Sequence, residues 1–254
     1  MAKSTNGIGQ FSGKLGGIVY AVSNGQQTVR QYQPIVNNPK TALQNAQRAK
    51  GNLAGRMSSF VPRTAIIGLG SNNRMRRGAF LRNILKKATT TNVGGLYDAK
   101  IQAPDVLFSK GSVQLPVTLT SITAAANSVA VVLTGVANTI IAPEVYASRL
   151  VRLVAMVYEA NTNNLVEVST KLATMPAQGA TSTTSIPVAQ AGGYDVFVYA
   201  IPMSTDDGSA ASVDTSVVGL DDDDIAASLS VNGNAVVFDY GQSVYMGTAN
   251  FQGA

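Results

Sequence analysis

Two short β-rich runs, Ile18 to Val22 and Thr28 to Tyr32, lie near the start of the chain, separated by Ser23-Asn24-Gly25-Gln26. Asn-Gly between such runs is the strongest short-range sign of a β-hairpin. Upstream, residues 7 to 17 (GIGQFSGKLGG) are Gly-rich and predict a flexible arm or a tight backbone approach. They fail the phosphate-loop pattern, because no Gly lies five positions before Gly13 and Leu15 stands where Ser or Thr is needed.

After Pro34 the period changes to that of a helix. Ala42, Leu43, Ala46, Ala49, Leu53 and Met57 are spaced to share one helical face, with Asn38 as cap and Pro39 in the first turn. Gly51 and Gly55 weaken this helix and Pro62 ends it. A second helix is predicted from about Asn73 to Ala88, with Met75, Phe80, Leu81, Ile84 and Leu85 on or near its apolar side. Gly94-Gly95 marks a joint.

From Val106 the pattern turns to period two and β-branched residues, with segments near 106–108, 112–120, 128–134, 149–159, 164–172, 183–188, 194–203 and 212–219. Turn clusters at Ala125 to Asn127, Asn161 to Asn164, Gly192-Gly193 and Asp206 to Ser209 separate several of them. Short strands at this spacing predict an antiparallel β-sandwich of immunoglobulin or fibronectin type, without the Cys pair and Trp of true immunoglobulin domains. A second Asn-Gly turn, Asn232-Gly233-Asn234, predicts a closing C-terminal β-hairpin. The expected chain is mainly β: a basic arm, hairpin and two-helix module over 1–100, a sandwich over 101–220, and an acidic loop with hairpin over 221–254.

Charge sharpens this division. Residues 1–100 hold 15 Lys and Arg against one acid, Asp98, a net +14, while residues 101–254 hold 4 bases and 13 acids, a net −9. Such asymmetry points to an anionic partner for the basic part, nucleic acid included, or to head-to-tail pairing of basic and acidic regions between copies. The candidate contacts are Arg48, Arg56, Arg63, Arg74, Arg76, Arg77, Arg82, Lys86 and Lys87, with Asp221, Asp222, Asp223 and Asp224 as the acidic counterpart. Six phosphate contacts would give a log-log salt slope of roughly −5. Only Phe60 and Phe80 interleave the cations, so contacts to the backbone of a nucleic acid are expected and base stacking is not.

Composition removes much chemistry. The chain of 254 residues has no Cys and no His, which excludes thiol nucleophiles, imidazole acid–base work and most zinc sites. No catalytic residues, metal or cofactor are therefore assigned. The four aspartates lack the spaced ligand pattern of a calcium loop. Charged residues are 13% of the chain against roughly 25% in ordinary globular proteins, so the surface is expected to be Ser-, Thr-, Asn- and Gly-rich. The start MAKSTNGIGQF lacks the apolar core of a signal peptide, and no run of about 18 apolar residues is present, so a cytoplasmically made protein without a membrane partner is expected. Tyr158, Tyr194, Phe197, Tyr199 and Phe108 suit a carbohydrate surface only if outward-facing; at strand spacing core and cross-strand pairs are the commoner outcome.

The Gly-rich hairpin followed by Asn38-Pro39-Lys40-Thr41-Ala42-Leu43-Gln44-Asn45-Ala46-Gln47-Arg48 resembles an uncharacterised family, a domain of unknown function, of Bacteroidota chromosomes and of phages and prophages of those hosts. The matching positions are Gly13, Gly16, Gly17, Gly25, Arg30, Pro39, Thr41, Gln44, Gln47 and Arg48. The likeness runs over about residues 6–220 and is strongest up to Lys50. It implies a basic, partly helical N-terminal segment, a fibronectin-like sandwich and a phage setting, and brings no catalytic residues.

The combined expectation is a non-enzymatic virion structural protein, a minor capsid, connector, neck or tail component assembled in the host cytoplasm. It would form a homo-oligomer through arm and sandwich, touching other virion proteins and, through the basic region, packaged DNA. The alternative is a soluble nucleic-acid-binding protein that holds backbone phosphates on its basic helices. A cell-surface carbohydrate-binding sandwich is a third.

Overall fold

In a computed structural model the described residues are 3–6, 10–24, 26–33, 40–125, 127–136, 149–160, 164–189, 194–205 and 238–251. The chain divides into two compact units, Met1–Ala42 and Leu43–Ala254.

The first unit is a four-stranded antiparallel sheet in sequence order: β1 (Lys3–Asn6), β2 (Gln10–Leu15), β3 (Ile18–Ser23) and β4 (Gln26–Gln31). The predicted hairpin is present, with Ser23 opposite Gln26 and Asn24 at φ 51°, a left-handed conformation Asn tolerates. The expected arm is corrected. Residues 10–15 form a strand, and Leu15 pairs with Ile18 across a two-residue turn in which Gly16 has φ 58°. Glycines that interrupt the period-two pattern hide a strand whose ladder needs only backbone.

The second unit begins with α1 (Ala42–Phe60), which continues through Gly51 and Gly55 and stops before Pro62. Its proposed caps Asn38 and Pro39 lie outside the described residues. Ala54 and Met57 are buried, but Leu43 is 84% exposed, so the apolar stripe starts later than its spacing suggested. A 3-10 segment, Arg63–Leu69, follows and buries Thr64 to Ile67. Then comes α2 (Asn73–Lys87), whose cap Asn72 accepts a hydrogen bond from the Met75 amide at 3.0 Å. Phe80 and Ile84 are fully buried, each contributing about 1.5–3 kcal/mol, whereas Met75 points to solvent. The joint at Gly94-Gly95 is in fact the turn of a hairpin, β5 (Thr89–Val93) and β6 (Leu96–Lys100), with both glycines at positive φ.

The rest is antiparallel sheet. One sheet has three strands in the order β11 (Thr181–Pro187), β8 (Ser128–Gly135), β7 (Val117–Ala125). The other runs β10 (Leu165–Thr174), β9 (Arg149–Glu159), β12 (Tyr194–Thr205), with β13 (Phe238–Tyr240) and β14 (Val244–Phe251) both along the far edge of β12. Val129, Val131 and Leu133 of β8 share a core with Val151, Leu153, Ala155 and Val157 of β9 and with Val196, Val198 and Ala200 of β12. On the opposite face, Val154 and Met156 of β9 and Tyr199 and Ile201 of β12 pack with Met57, Ile66, Phe80, Ile84 and Phe108. Strand β9 is thus buried on both faces, which explains why residues 150–157 read as a continuous run instead of alternating.

Two sequence expectations are redrawn. Residues 106–108 are not a strand, and 112–120 is a strand only from Val117, although Ser112 bridges Gly241. The predicted closing hairpin turns at Asn232-Gly233-Asn234, outside the described residues, while the segments after it extend one edge of β12: Tyr240 opposes Met203 and Val244 opposes Ala200. Residues 212–219, the Asn232-Gly233-Asn234 turn and Asp221 to Asp224 lie outside the described residues.

Candidate interaction surface

The basic residues of the second unit fall into two groups once their partners are traced. With Phe80 and Ile84 facing inward, positions 74, 78, 82 and 86 form an outward ridge of α2, each four residues from the next. Arg74, Arg82 and Lys86 on that ridge are exposed, and twelve residues of helix span about 18 Å. Arg48 on α1 and Arg63 at the start of the 3-10 segment are also exposed. Among the described residues none of these five has a carboxylate partner.

The remaining four are engaged by partners within the fold. Arg56 donates to Asn164 Oδ1 at 2.5 Å, Arg76 Nε to the Gly70 carbonyl at 2.7 Å, and Arg77 to the Ser58 carbonyl at 3.1 Å. Lys87 pairs with Asp105 at 3.0 Å. Arg77 therefore ties α2 to the end of α1, and the nine candidates are not one surface.

The ridge carries an internal electrostatic cost. Arg82 and Lys86 are a like-charged i, i+4 pair, worth roughly 0.2–0.5 kcal/mol against the helix. Lys86 and Lys87 recover part of this by lying at the negative end of the helix dipole. An anion seated along the ridge would relieve the repulsion, whether phosphate or carboxylate.

Beneath this surface lies a polar group that sequence reasoning missed. Arg152, in the middle of β9, is 3% exposed and donates to the Thr64 carbonyl. Burial lowers its pKa and nearby Tyr240 raises it. Tyr240 is itself pushed up by burial, with Arg152 and Arg76 acting in the other direction. The one available signal was a cation inside an otherwise apolar strand run. A shallow depression of about 380 Å³ beside Tyr240 is also lined by Gly68, Gly70, Arg76, Lys110, Ser112 and Asp239.

The aromatic residues form packing pairs. Phe108 and Tyr199 are buried and meet edge to face at 4.8 Å, and Tyr158 meets Phe197 at 5.3 Å. The Tyr199 hydroxyl donates to the Ala103 carbonyl at 2.9 Å. A smaller hollow of about 200 Å³ opens beside Tyr158, Phe197 and Asp195.

The acidic counterparts Asp221, Asp222, Asp223 and Asp224 lie outside the described residues. Comparison of the chain with protein-family models, with curated proteins and with solved structures finds no match.

Proposed function

We propose that the chain is a non-enzymatic structural protein of a phage particle, a minor capsid, connector, neck or tail component, that assembles with copies of itself. The observation that carries the proposal is the set of five exposed cations without carboxylate partners among the described residues, in a chain whose other half is strongly acidic. The two antiparallel sheets act in this proposal as a fibronectin-like sandwich, the rigid body that the charged surfaces join. The phage setting comes from the likeness of the Gly-rich hairpin and the Asn38-to-Arg48 motif to the phage and prophage family.

The test is the mass of the purified protein by light scattering at about 50 and 500 mM salt, with the absorbance ratio read for nucleic acid, since screening weakens exposed ion pairs over this range. A nucleic-acid-free multimer that dissociates in high salt is expected. A second proposal rests on the same exposed cations: they hold nucleic-acid phosphates, and a monomer that carries nucleic acid at low salt and sheds it at high salt would favour it over assembly.

A further inference from the structure

On the helix-covered face of the five-stranded sheet, Asp195, Phe197 and Tyr199 alternate along β12, and Tyr158 of β9 stands directly opposite Asp195. Ile101, Ala103 and Val106 lie over them, and a hollow of about 200 Å³ remains between the two layers. The Tyr199 hydroxyl ties the overlying segment down by donating to the Ala103 carbonyl at 2.9 Å. The Tyr158 and Phe197 rings stand at 87° to each other and form two adjoining walls.

The hollow holds one charge and no counter-charge. Asp195 is half-buried and its cross-strand neighbours are Tyr158 and Asn250. Among the described residues its carboxylate has neither a cation nor a hydrogen-bond donor, and the Tyr158 hydroxyl has no hydrogen-bond partner. Withdrawing a carboxylate from water is unfavourable unless a cation or donors replace the water. A calcium ion does not fit, because it takes roughly six to eight oxygen ligands and the hollow offers one carboxylate and two phenols among apolar side chains. Among the described residues no group of three or more acids gathers anywhere. Drug-sized ligands fill roughly 300–1,000 Å³, so the occupant is a smaller group.

An alkylammonium group meets each requirement. Its N–H donors answer the oxygens of Asp195 and Tyr158, its charge is attracted to the aromatic rings, and its methylenes suit Ile101, Ala103 and Val106. We propose that this hollow binds a primary ammonium group on a short aliphatic chain, the chemistry of a free alkylamine or of a lysine side chain. The site stands whether or not the self-assembly proposed above holds.

The test is ligand-observed saturation-transfer NMR on the full chain at low salt, with n-butylammonium chloride as probe and n-butanol and sodium butyrate as neutral and anionic controls. Butylammonium, a ligand of about five heavy atoms, is expected to bind with a midpoint on the order of 1 mM, and both controls about tenfold more weakly or worse. Asp195→Asn, which keeps the side chain's shape, should weaken butylammonium about tenfold or more, and Tyr158→Phe about threefold, with thermal melting confirming that each variant folds. If a variant fails to fold, the three probes and the particle mass of the parent chain decide alone. Light scattering names the source. A mass that falls in Asp195→Asn, or on adding butylammonium beyond the effect of equal sodium chloride, assigns the site to a lysine side chain of a second copy. An unchanged mass with butylammonium bound assigns it to a free amine. Butylammonium that binds no better than butanol while the mass is unchanged, or that binds folded Asp195→Asn as well as the parent, overturns the proposal.

Discussion

Arg152 reaches from the centre of β9 to donate to the carbonyl of Thr64, linking the five-stranded sheet to the 3-10 segment before α2. Its guanidinium is buried, which lowers its pKa, with Tyr240 acting in the other direction. A buried cation costs desolvation energy that a single carbonyl bond only partly offsets. Arg152→Met, which keeps much of the volume, is expected to change stability by less than about 1.5 kcal/mol, whereas Arg152→Ala, which leaves a cavity as well as an unpaired carbonyl, should cost about 2–4 kcal/mol. Urea denaturation of the two variants measures the difference, and equal losses would refute it.

Glycines of opposite kinds make the second prediction. A Cβ on Gly111 would strike the Tyr240 carbonyl, and one on Gly241 the Val113 carbonyl, so neither neighbour can yield without moving backbone. At Gly51 and Gly55, in the body of α1, a Cβ meets nothing within 4 Å. Gly111→Ala and Gly241→Ala should each destabilise by about 1–3 kcal/mol, while Gly51→Ala and Gly55→Ala should each stabilise by about 0.5–1 kcal/mol. Thermal melts of the four variants decide it by sign.

Much of this fold was legible where the signal is local. The spacing of Met75, Phe80, Leu81, Ile84 and Leu85 places α2 to within a residue, and Asn24-Gly25 places the β3–β4 hairpin. Elements whose evidence is distant were not legible. Strand β2 is held by a ladder, not by an apolar pattern, and β14 joins β12 from about 50 residues away in sequence. Sequence alone does not divide the basic set, because Arg77 and Arg56 find their partners 19 and 108 residues along the chain, beyond any spacing rule. Arg74, Arg82 and Lys86 remain as the ridge because helix period alone separates them from Phe80 and Ile84.

Alkaline pH provides a third prediction. Burial raises the pKa of Tyr158, Tyr199 and Tyr240 above the ordinary 10.0. A phenol with a raised folded pKa gives full stability below its unfolded value and loses it as pH rises, because the unfolded chain releases the proton first. Each such Tyr should remove about 1.4 kcal/mol per pH unit above 10 until the folded phenol ionises. The lowered pKa of Arg152 acts with the opposite sign, because above its folded value the folded chain releases that proton first, but this one group offsets only part of the loss from three tyrosines. The urea midpoint should therefore fall steeply between about pH 10 and 11, and less steeply in Tyr199→Phe; a flat profile would refute the assignment.

The cap of α2 should be felt in isolation from assembly. Asn72 supplies an acceptor for one of the amides that a helix start leaves without a partner. Asn72→Ala is expected to cost about 1 kcal/mol and Asn72→Asp close to nothing, since Asp caps as well and its charge suits the helix start. A melt in which both variants lose equally would point to a packing role for Asn72 instead.

Charge reversal separates cations that build the fold from those left over. Arg74→Glu, Arg82→Glu and Lys86→Glu together change an exposed ridge without removing a carbonyl or carboxylate bond given to any of the three, and they exchange one like-charged i, i+4 pair at positions 82 and 86 for another of opposite sign. The triple variant should melt within a few degrees of the parent, because surface changes of this kind are worth about 0.5 kcal/mol or less each. Arg77→Glu, by contrast, removes the donor to the Ser58 carbonyl and sets an acid near the α1 terminus, where the helix dipole is negative. It should lose about 1–3 kcal/mol. Light scattering on the folded triple variant then reads the surface alone: loss of the multimer places the ridge at an assembly contact, and a multimer that persists while bound nucleic acid is lost assigns the same three cations to phosphates.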